Sequence, residues 1–491
     1  MRALKRLFVV AFVLTVALVV TLVLNALRQG SRQLDLPPAP ALAVDRAAAA
    51  ASLSQAVQAR TVSGLLDPAG TAAAFEQLHA HLRARYPLVH QRLEREVVGT
   101  HGLLFTWRGS DASAKPIALL AHQDVVPVAP GTEGLWQQPP FSGHVDERFV
   151  WGRGTWDDKG NLIAQLEAVE MLLAAGHQPR RTVYLAYGHD EEVGGREGAV
   201  AIATLLKDRG VRLDFVLDEG LLITDGVMPG LAPPAALIGV AEKGYLSLRL
   251  STDGTPGHSS MPPPPGDGAI GILARALHRL ETNPVPGGIQ GVARQMFEAI
   301  APEMAFTNRV VLSNMWLLRP VVERMLARQP STNAMMRTTT ALTIVQAGNK
   351  DNVLHGRAEA TVNFRLLPGD SVDGTMAFVR RAIADERVKV EPLPGHAEPS
   401  AVAPLDGSAY QLVERTVREL FPGVIVAPGL MIAATDARHY EPVADQVLRF
   451  SPVRATSEDL KRFHGTDERL AVDNLAELIR FYHRLVEQAT K

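Results

Sequence analysis

Short apolar runs that end in polar residues or glycine alternate with helical patterns over the first half of the chain. Three runs have the length of buried strands: PIALLAH (116–122), TVYLAYG (182–188) and DFVLDEG (214–220). Between the first two, residues 161–175 place apolar side chains at helical spacing, and Gly176 is suited to end that helix. This order predicts an α/β fold with a mostly parallel sheet and helices on both faces. In such sheets the functional site lies at the carboxyl ends of the strands.

A different pattern begins at about Lys243. YLSLRLST (245–252) and AEATVNFRLLP (358–368) alternate with the two-residue period of half-exposed strands, and helical ILARALHRLE (272–281) lies between them. These elements predict a smaller α+β domain of the lid or dimerisation type, inserted into the first domain. Residues 286–350 have only weak periodicity and receive no assignment.

The N-terminus carries an apolar run from Leu7 to Leu27, which is interrupted only by Thr15, Thr21 and Asn25. At about 1.5 Å per residue this run can cross a bilayer as one helix. We favour an uncleaved anchor, because the nearest small-x-small cleavage site, at 41–43, lies well beyond the run. A cleaved signal peptide and a secreted protein are the alternative.

Basic residues precede the apolar run at Arg2, Lys5 and Arg6. The positive-inside rule keeps them in the cytoplasm and places the catalytic domain outside it, in a single-pass arrangement. The lipid bilayer is therefore a predicted partner. The chain divides into an anchor, a proline-containing linker, a first catalytic part, an inserted domain and a second catalytic part: 1–28, 29–49, 50–243, 244–392 and 393–491.

Composition narrows the function classes. The chain has 491 residues, of which 46% are apolar and 21% charged, and this is ample for a core in more than one domain. The formal net charge of −2 offers no basic surface for nucleic acid. The absence of cysteine excludes disulfides, thiolate metal ligands and cysteine nucleophiles.

Seven polar residues near strand ends or in glycine-containing loops are candidates for a hydrolytic metal site. They are His122, Asp124, Asp157, Glu191, Glu192, Asp218 and His464. Two imidazoles and several carboxylates suit a pair of divalent ions, with zinc first and manganese or cobalt as alternatives.

Each motif, taken alone, also has a purely structural interpretation. His122 and Asp124 face the same side of a strand, so that Asp124 can hold the ring of a metal-binding His122, but they can also be a polar strand end. Asp157 in GRGTWDDKG either caps a helix or bridges two ions. In HDEEVGG, Glu192 would be a ligand and Glu191 a general base, unless the segment is a solvated turn.

Together these motifs resemble those of the di-zinc exopeptidase and deacylase superfamily, which includes aminoacylase, acetylornithine deacetylase and succinyl-diaminopimelate desuccinylase. The segments that carry the resemblance are AHQDVVPV, WGRGTWDDKG, YGHDEEVGG, VLDEG, GHSS, TVNFRLLPGD and TDARHY. Within the superfamily the chain most resembles the carboxypeptidase S branch, which also contains the N-fatty-acyl-amino-acid synthase/hydrolase. The resemblance extends from about residue 45 to the C-terminus.

The resemblance implies a role for each candidate. His122, Asp157 and Asp218 would bind one ion, and Asp157, Glu192 and His464 the other. Asp124 would orient His122, and Glu191 would be the general base. In the inserted domain the resemblance implies three residues that act on substrate: His258 on the oxyanion, Arg365 on a carboxylate and Asn352 nearby. In some relatives the histidine comes from a partner subunit, which implies a homodimer through the lid domain as one option.

The expected function is a membrane-anchored metallohydrolase that cleaves the amide next to a C-terminal or N-acylated amino acid. A small-metabolite deacetylase inside the cell and a non-catalytic binding protein on the same fold are the alternatives. The segments AATDARHY and TPGHSS depart from the usual glycine pattern of the superfamily. These departures concern the predicted specificity rather than the metal ligands.

Overall fold

The computed structural model describes residues 2–64 and 68–491. Its α-helices within those ranges are α1 (Arg2–Arg28), α2 (Arg46–Gln58), α3 (Pro68–Arg85), α4 (Pro87–Arg92), α5 (Lys159–Ala174), α6 (Ala199–Asp208), α7 (Ala269–Thr282), α8 (Gly291–Ile300), α9 (Phe306–Leu312), α10 (Met315–Leu326), α11 (Pro330–Met336), α12 (Val372–Ile383), α13 (Ser408–Leu420) and α14 (Val472–Ala489).

The strands in the same ranges are β1 (Glu94–Val98), β2 (Gly102–Trp107), β3 (Ile117–His122), β4 (Phe149–Trp151), β5 (Val183–Gly188), β6 (Leu213–Thr224), β7 (Ala235–Glu242), β8 (Gly244–Asp253), β9 (Gly257–His258), β10 (Thr339–Ala347), β11 (Val353–Leu354), β12 (Arg357–Leu366), β13 (Lys389–Pro392), β14 (Ile425–Met431), β15 (Ala444–Ala455) and β16 (Arg469–Ala471). Short 3₁₀ turns connect several of them, the longest over Asp436–Val443.

The main sheet has eight strands in the order β1-β2-β5-β3-β6-β15-β7-β14. Its centre is parallel, since β3 pairs in this way with both β5 and β6, and β6 with β15. The β1–β2 and β2–β5 pairs are antiparallel, and so is the short β15–β7 contact. The sheet is therefore mixed rather than mostly parallel. The reason is that β1 and β2 form a hairpin on one side and β7 returns antiparallel to β6 on the other.

Helices cover both faces of this sheet. On one face α2, α5, α13 and α14 enclose the largest apolar core, and α5 packs along α14. On the other face α6 and the Asp436–Val443 turn pack over β3 and β5. The three central strands β2, β3 and β5 are buried at every position, as expected for strands covered on both sides.

A separate antiparallel sheet has the order β10-β12-β8-β13. In β12 every second residue is buried, which matches the alternation in the sequence. Helices α7 and α12 cover this face and share an apolar core with β8 and β12. We call these four strands the small sheet. Its first strand, β8, begins at Gly244, and Lys243 alone separates it from the end of β7 in the main sheet.

The stretch with weak periodicity, residues 286–350, forms four helices, α8 to α11, and then strand β10 of the small sheet. Helix α8 does not extend the small sheet but packs against β14 at the edge of the main sheet. The sequence pattern is weak because these helices bury short apolar stripes on two different surfaces, one with α8 and β14 and one among α9, α10 and Met336.

Helix α1 is long and apolar enough to cross a membrane, and most of it projects free of the rest of the chain. After it, the chain to Asp45 lies along the catalytic body instead of standing away from it. The Ala39 N–H donates to the Glu419 carbonyl over 2.8 Å, and the Gln33 side chain pairs with the Val426 backbone. Asp45 then caps α2 through the Ala48 N–H.

Candidate metal centre

Three neighbouring strands of the main sheet end at one place and bring polar side chains together. Strand β3 ends at His122, directly opposite Gly188 at the end of β5. The HDEE segment follows β5, and β6 on the other side of β3 carries Asp218 and Glu219. Because these strands are parallel, their carboxyl ends meet at the same edge of the sheet.

Two groups of possible ligands lie at this edge and share one carboxylate. The first is His122, Asp157 and Glu219, and the second is Asp157, Glu192 and His464. In each group the ligand atoms lie within 4.8 Å of one another. We call these five residues the acid–histidine cluster. All of them except His464 have side chains that are no more than 14% exposed.

Asp157 occupies the centre of this cluster. Its Oδ1 atom lies 2.9 Å from His122 Nε2, and its Oδ2 atom lies 2.8 Å from His464 Nε2. Burial opposes the charged form of the carboxylate, but its bonds to the two imidazoles lower the pKa of Asp157 below its usual value. The same contact, with the help of Glu192, raises the pKa of His464 to about 10.

Asp124 orients His122 and also fixes the loop after β5. The His122 Nδ1 atom lies 2.9 Å from the Asp124 carbonyl and 3.3 Å from its carboxylate. The two Asp124 carboxylate oxygens accept the backbone N–H groups of Glu191 and Glu192 over 3.2 and 3.1 Å. One fully buried carboxylate thus holds the first histidine and the acidic segment in register.

The Glu191 carboxylate points into the same buried region. It accepts no hydrogen bond from the described part of the chain. Burial raises the pKa of Glu191 well above its usual value, and the neighbouring charges of Asp436 and Glu192 raise it further. A buried carboxyl group with a raised pKa is a candidate for proton transfer in catalysis.

Asp218 lies outside both groups, although the sequence suggested it as a ligand. Its Oδ1 atom accepts the Glu219 N–H over 2.9 Å, and its Oδ2 atom accepts the Ala437 N–H over 2.7 Å. Successive side chains on a strand point to opposite sides, so only one of the two acids in VLDEG can face His122. That residue is Glu219, whose Oε1 atom lies 3.8 Å from His122 Nε2.

An ion pair that the sequence analysis did not single out connects the two ligand loops. Arg153 and Glu468 are almost fully buried and lie 2.6 Å apart. Glu468 accepts the N–H groups of Gly154, Trp156 and Asp157, while Arg153 donates to the His464 and Gly465 carbonyls. These bonds stabilise His464 with a φ of 56°, which is uncommon for a residue with a side chain. Arg153 lies inside the motif GRGTWDDKG, and Glu468 follows the candidate ligand His464 by four residues.

The residues of the inserted region that were predicted to act on substrate do not join the acid–histidine cluster. His258 is exposed on a short ribbon formed by β9 and β11, where its Nδ1 atom lies 2.8 Å from Ser260 Oγ. Asn352 lies beside it, because its carbonyl accepts the Ser259 N–H over 3.1 Å. Among the described residues, neither belongs to a group that could bind a metal. We call β9 and β11 the rim ribbon.

Arg365 lies nearer to the main domain. Its guanidinium stacks 4.9 Å from the centre of the Tyr245 ring. Burial lowers the pKa of Arg365, Tyr245 opposes this change, and the charge of Arg438 lowers the pKa further. Arg438 belongs to the TDARHY segment that also supplies Asp436. The charges of Arg365 and Arg438 therefore lie close enough to influence one another.

The residues present fit a pair of divalent cations. Burial raises the pKa values of four carboxyl groups here, those of Asp218, Glu219, Glu191 and Asp436. The buried Glu192 Oε1 atom has no hydrogen-bond partner in the described part of the chain. Lys159, the nearest buried lysine in sequence, donates instead to the Ala56 and Ala59 carbonyls. Bound cations would offset this concentration of acids, and the mixed imidazole and carboxylate donors suit zinc.

A buried acid–histidine cluster at the strand ends of a mixed α/β sheet is the architecture of a metallohydrolase. Comparison with known proteins agrees, since residues 118–488 match the peptidase family M20/M25/M40. The chain belongs to this family. It is accordingly an enzyme of the metallohydrolase class.

Named relatives indicate which members of this peptidase family the chain resembles. The probable carboxypeptidase S-like 2 of Dictyostelium discoideum is 42% identical over 85% of this chain and 80% of its own length. The mouse N-fatty-acyl-amino acid synthase/hydrolase PM20D1 is 42% identical over 91% of this chain and 88% of its own. Among solved structures, an M20 family metallo-carboxypeptidase from Sulfolobus solfataricus shares the fold with a TM-score of 0.62 and 16% identity, over 91% of this chain and 99% of its own.

Proposed function

We propose that this enzyme is a two-metal amidohydrolase that cleaves the amide bond next to a C-terminal or N-acylated amino acid. The observation that carries this proposal is the shared position of Asp157, with one carboxylate oxygen on each histidine. A carboxylate that bridges two ions fixes their separation at about 3.5–4 Å. One ion would be held by His122, Asp157 and Glu219, and the other by Asp157, Glu192 and His464. Glu219 replaces Asp218 in this assignment.

When bound, the two ions supply an acidified water and polarise the substrate carbonyl. Glu191 accepts a proton from the water as its oxygen attacks the amide carbon. It then returns that proton to the nitrogen as the carbon–nitrogen bond breaks, so that a carboxylic acid and an amine are formed. Its buried position next to Glu192 supports this assignment, because its raised pKa suits both transfers. Asp124 holds the backbone of Glu191 during the cycle.

Substrate recognition is assigned to the inserted region. Arg365 would pair with the free carboxylate of the terminal amino acid, since its planar fork suits bidentate binding. Its stacking on Tyr245 and its approach to Arg438 place that charge beside the main domain. His258 would stabilise the oxyanion, and Asn352 would contact the substrate next to it. His258 lies on the rim ribbon and Asn352 directly precedes β11, so a movement of this region or a second copy of the chain would bring them to the substrate.

Helix α1 is proposed as a single-pass anchor that leaves the catalytic domain outside the cytoplasm. Its exposed apolar length supports this proposal, and the basic residues Arg2, Lys5 and Arg6 precede it. The Thr15 and Thr21 hydroxyls donate to carbonyls one turn earlier, so their polar groups are satisfied within the helix. A cleaved signal sequence remains the competing interpretation.

A matched substrate panel tests the proposed reaction. Metal-depleted protein should regain activity with zinc, manganese or cobalt and should release free amino acid from dipeptides and N-acyl amino acids of varied chain length. Each N-acyl amino acid is paired with its C-terminal amide, which lacks the charge that Arg365 would bind. We expect at least about a tenfold preference for the free acid. Equal rates on both members of every pair would contradict the assigned substrate class, and no reaction on any pair would contradict the hydrolase assignment.

A further inference from the structure

Helices α9 and α10 expose several large apolar side chains. Its exposed side chains are Phe306 (54%), Trp316 (65%), Leu317 (40%), Val321 (54%) and Met325 (63%). The last three stand four residues apart on α10 and therefore line one side of that helix. The neighbouring side of α10, about 100° around the helix, is also apolar, and there Val322 packs with Ile289 and Met336. A helix that is apolar on two sides is normally buried on both. We call these five exposed residues the apolar stripe.

The same helices bind the end of α1. Asn314, which is fully buried between α9 and α10, donates to the Leu22 carbonyl over 2.9 Å and accepts from Asn25 over 2.8 Å. Asn25 is the last polar residue within the apolar run, and Asn314 satisfies its side chain. Arg309 donates to the Ala26 and Gln29 carbonyls and so caps the C-terminal end of α1.

These contacts fix the height of α9 and α10 relative to a membrane that α1 crosses. The run from Leu7 to Leu27 is about 30 Å long at 1.5 Å per residue. This length matches the thickness of the hydrocarbon core, so that nearly the whole run is needed to cross it. The Leu22 carbonyl lies five residues before the end of that run, or about 8 Å along the helix. Asn314 therefore lies near the boundary between hydrocarbon and headgroups, and the α10 helix that begins beside it must lie there too.

The composition of α10 agrees with such a position. Trp316 has an exposed ring and a satisfied indole N–H, which donates to Asn314 Oδ1 over 3.2 Å. Tryptophan is enriched at this depth. Arg324 and Arg328 are exposed near the end of α10 and have no ion pair within the described part of the chain. Apolar side chains together with unpaired cations are typical of helices that lie on anionic lipid.

We propose that α9 and α10 lie in the surface of the bilayer that α1 crosses, with the apolar stripe in contact with lipid. The inference rests on the proposed membrane anchor and adds a second, lateral contact to it. Two attachments fix the orientation of the catalytic domain relative to the membrane, whereas a single helix would leave the domain free to tilt. Substrates that carry a long acyl chain would then meet the enzyme at the lipid surface.

The natural absence of cysteine allows a direct test on the full chain. Three single variants carry an environment-sensitive fluorophore: Val321→Cys on the stripe, Val13→Cys on α1, and Val97→Cys on β1. The control Val97 matches Val321 in type and exposure, at 49% against 54%. The protein is reconstituted in vesicles of phosphatidylcholine and phosphatidylglycerol. Quenching by spin-labelled lipid is compared with quenching by aqueous iodide, and hydrolytic activity checks that each labelled protein is folded.

We expect spin-labelled lipid to reduce the fluorescence at Val13→Cys and Val321→Cys by about half or more and to leave Val97→Cys almost unchanged. Aqueous iodide should quench Val97→Cys strongly and should quench Val13→Cys and Val321→Cys only weakly. If Val13→Cys is quenched by lipid but Val321→Cys behaves as the control does, the anchor stands and the lateral contact is wrong. If Val321→Cys is shielded from both quenchers, protein covers the stripe and the proposal is also overturned. If Val13→Cys is not quenched by lipid, the anchor itself fails.

Discussion

The acid–histidine cluster and the rim ribbon are built in different ways. The cluster lies at the ends of buried parallel strands in the centre of the main sheet, and the Asp124 carboxylate and the Arg153–Glu468 pair stabilise the loops that carry it. The rim ribbon has two residues in each strand, and its His258 is exposed, with a side chain that within the described residues is hydrogen-bonded only to Ser260. The groups assigned to bond cleavage are therefore preassembled, whereas those assigned to oxyanion and substrate contacts depend on a further movement or a second chain.

The largest effect is expected inside the cluster. Glu191→Gln removes the proton acceptor but leaves the five cluster residues intact, so we expect the bound metal to stay unchanged and kcat to fall about a thousandfold or more. Steady-state kinetics together with elemental analysis of bound metal measures both. Glu197→Gln is the matched control, because that side chain is exposed in the following loop. Near-normal turnover in Glu191→Gln would refute its role as the base.

Two adjacent substitutions separate the cluster from its surroundings. Glu219→Gln should lose about a hundredfold or more in kcat/KM and bind one ion weakly, because it removes one carboxylate from the first group. Asp218→Asn should keep both ions and lose about tenfold, since an amide oxygen can still accept the Ala437 N–H. Metal content after dialysis discriminates between them. The reverse order of metal loss would restore Asp218 as the ligand.

A substitution on the small sheet should act on binding rather than on turnover. Arg365→Lys keeps the charge but removes the bidentate fork, so we expect KM for substrates with a free carboxylate to rise about tenfold while kcat changes little. Neutral amide substrates should show no such rise. Arg357→Lys lies on the same strand with an exposed side chain and serves as the control. An equal fall in kcat would place Arg365 in the reaction step instead.

The smallest effect concerns pH in metal-free protein. Bonds to Asp157 and Glu192 raise the pKa of His464 from 6.5 to about 10, so the folded chain favours the imidazolium. This stabilisation is fully present below pH 6.5 and is lost as pH rises through about 10. In excess chelator, the melting temperature of the wild type should therefore fall as pH rises over that interval. The melting temperature of His464→Gln should fall by less. Identical pH profiles for the two proteins would show that the pair does not form without metal.

The sequence predicted the edge at which the site would form, because buried strands that end in His122, HDEE and DEG must meet in a parallel sheet. It assigned Asp218 as a ligand, whereas the structure groups Glu219 with His122 and Asp157. Neighbouring acids differ only in which side of β6 they face, and a single residue of register reverses that choice. The Arg153–Glu468 pair stayed hidden for another reason, since its partners are more than 300 positions apart and only folding brings them together.

The inserted region was predicted less completely. The alternation of apolar and polar residues in β8 and β12 predicted the strands of the small sheet, and the buried face of that sheet follows the same two-residue period. Helices α8 to α11 gave no clear signal, because their apolar residues serve more than one surface and leave the apolar stripe exposed. The segment between α1 and α2 is shorter than the predicted linker at 29–49, since α2 begins at Arg46. The chain before α2 is hydrogen-bonded to the catalytic body.

The central claim is that one carboxylate, Asp157, serves two ions at once. Zinc bound per chain, measured by elemental analysis after identical dialysis, tests this claim most directly in wild-type protein and in Asp157→Asn, with Asp208→Asn as an exposed control on α6. We predict two ions in the wild type and in the control, and the loss of both in Asp157→Asn. If Asp157→Asn retains one tightly bound ion, or if the wild type binds only one, Asp157 does not bridge a pair of metals.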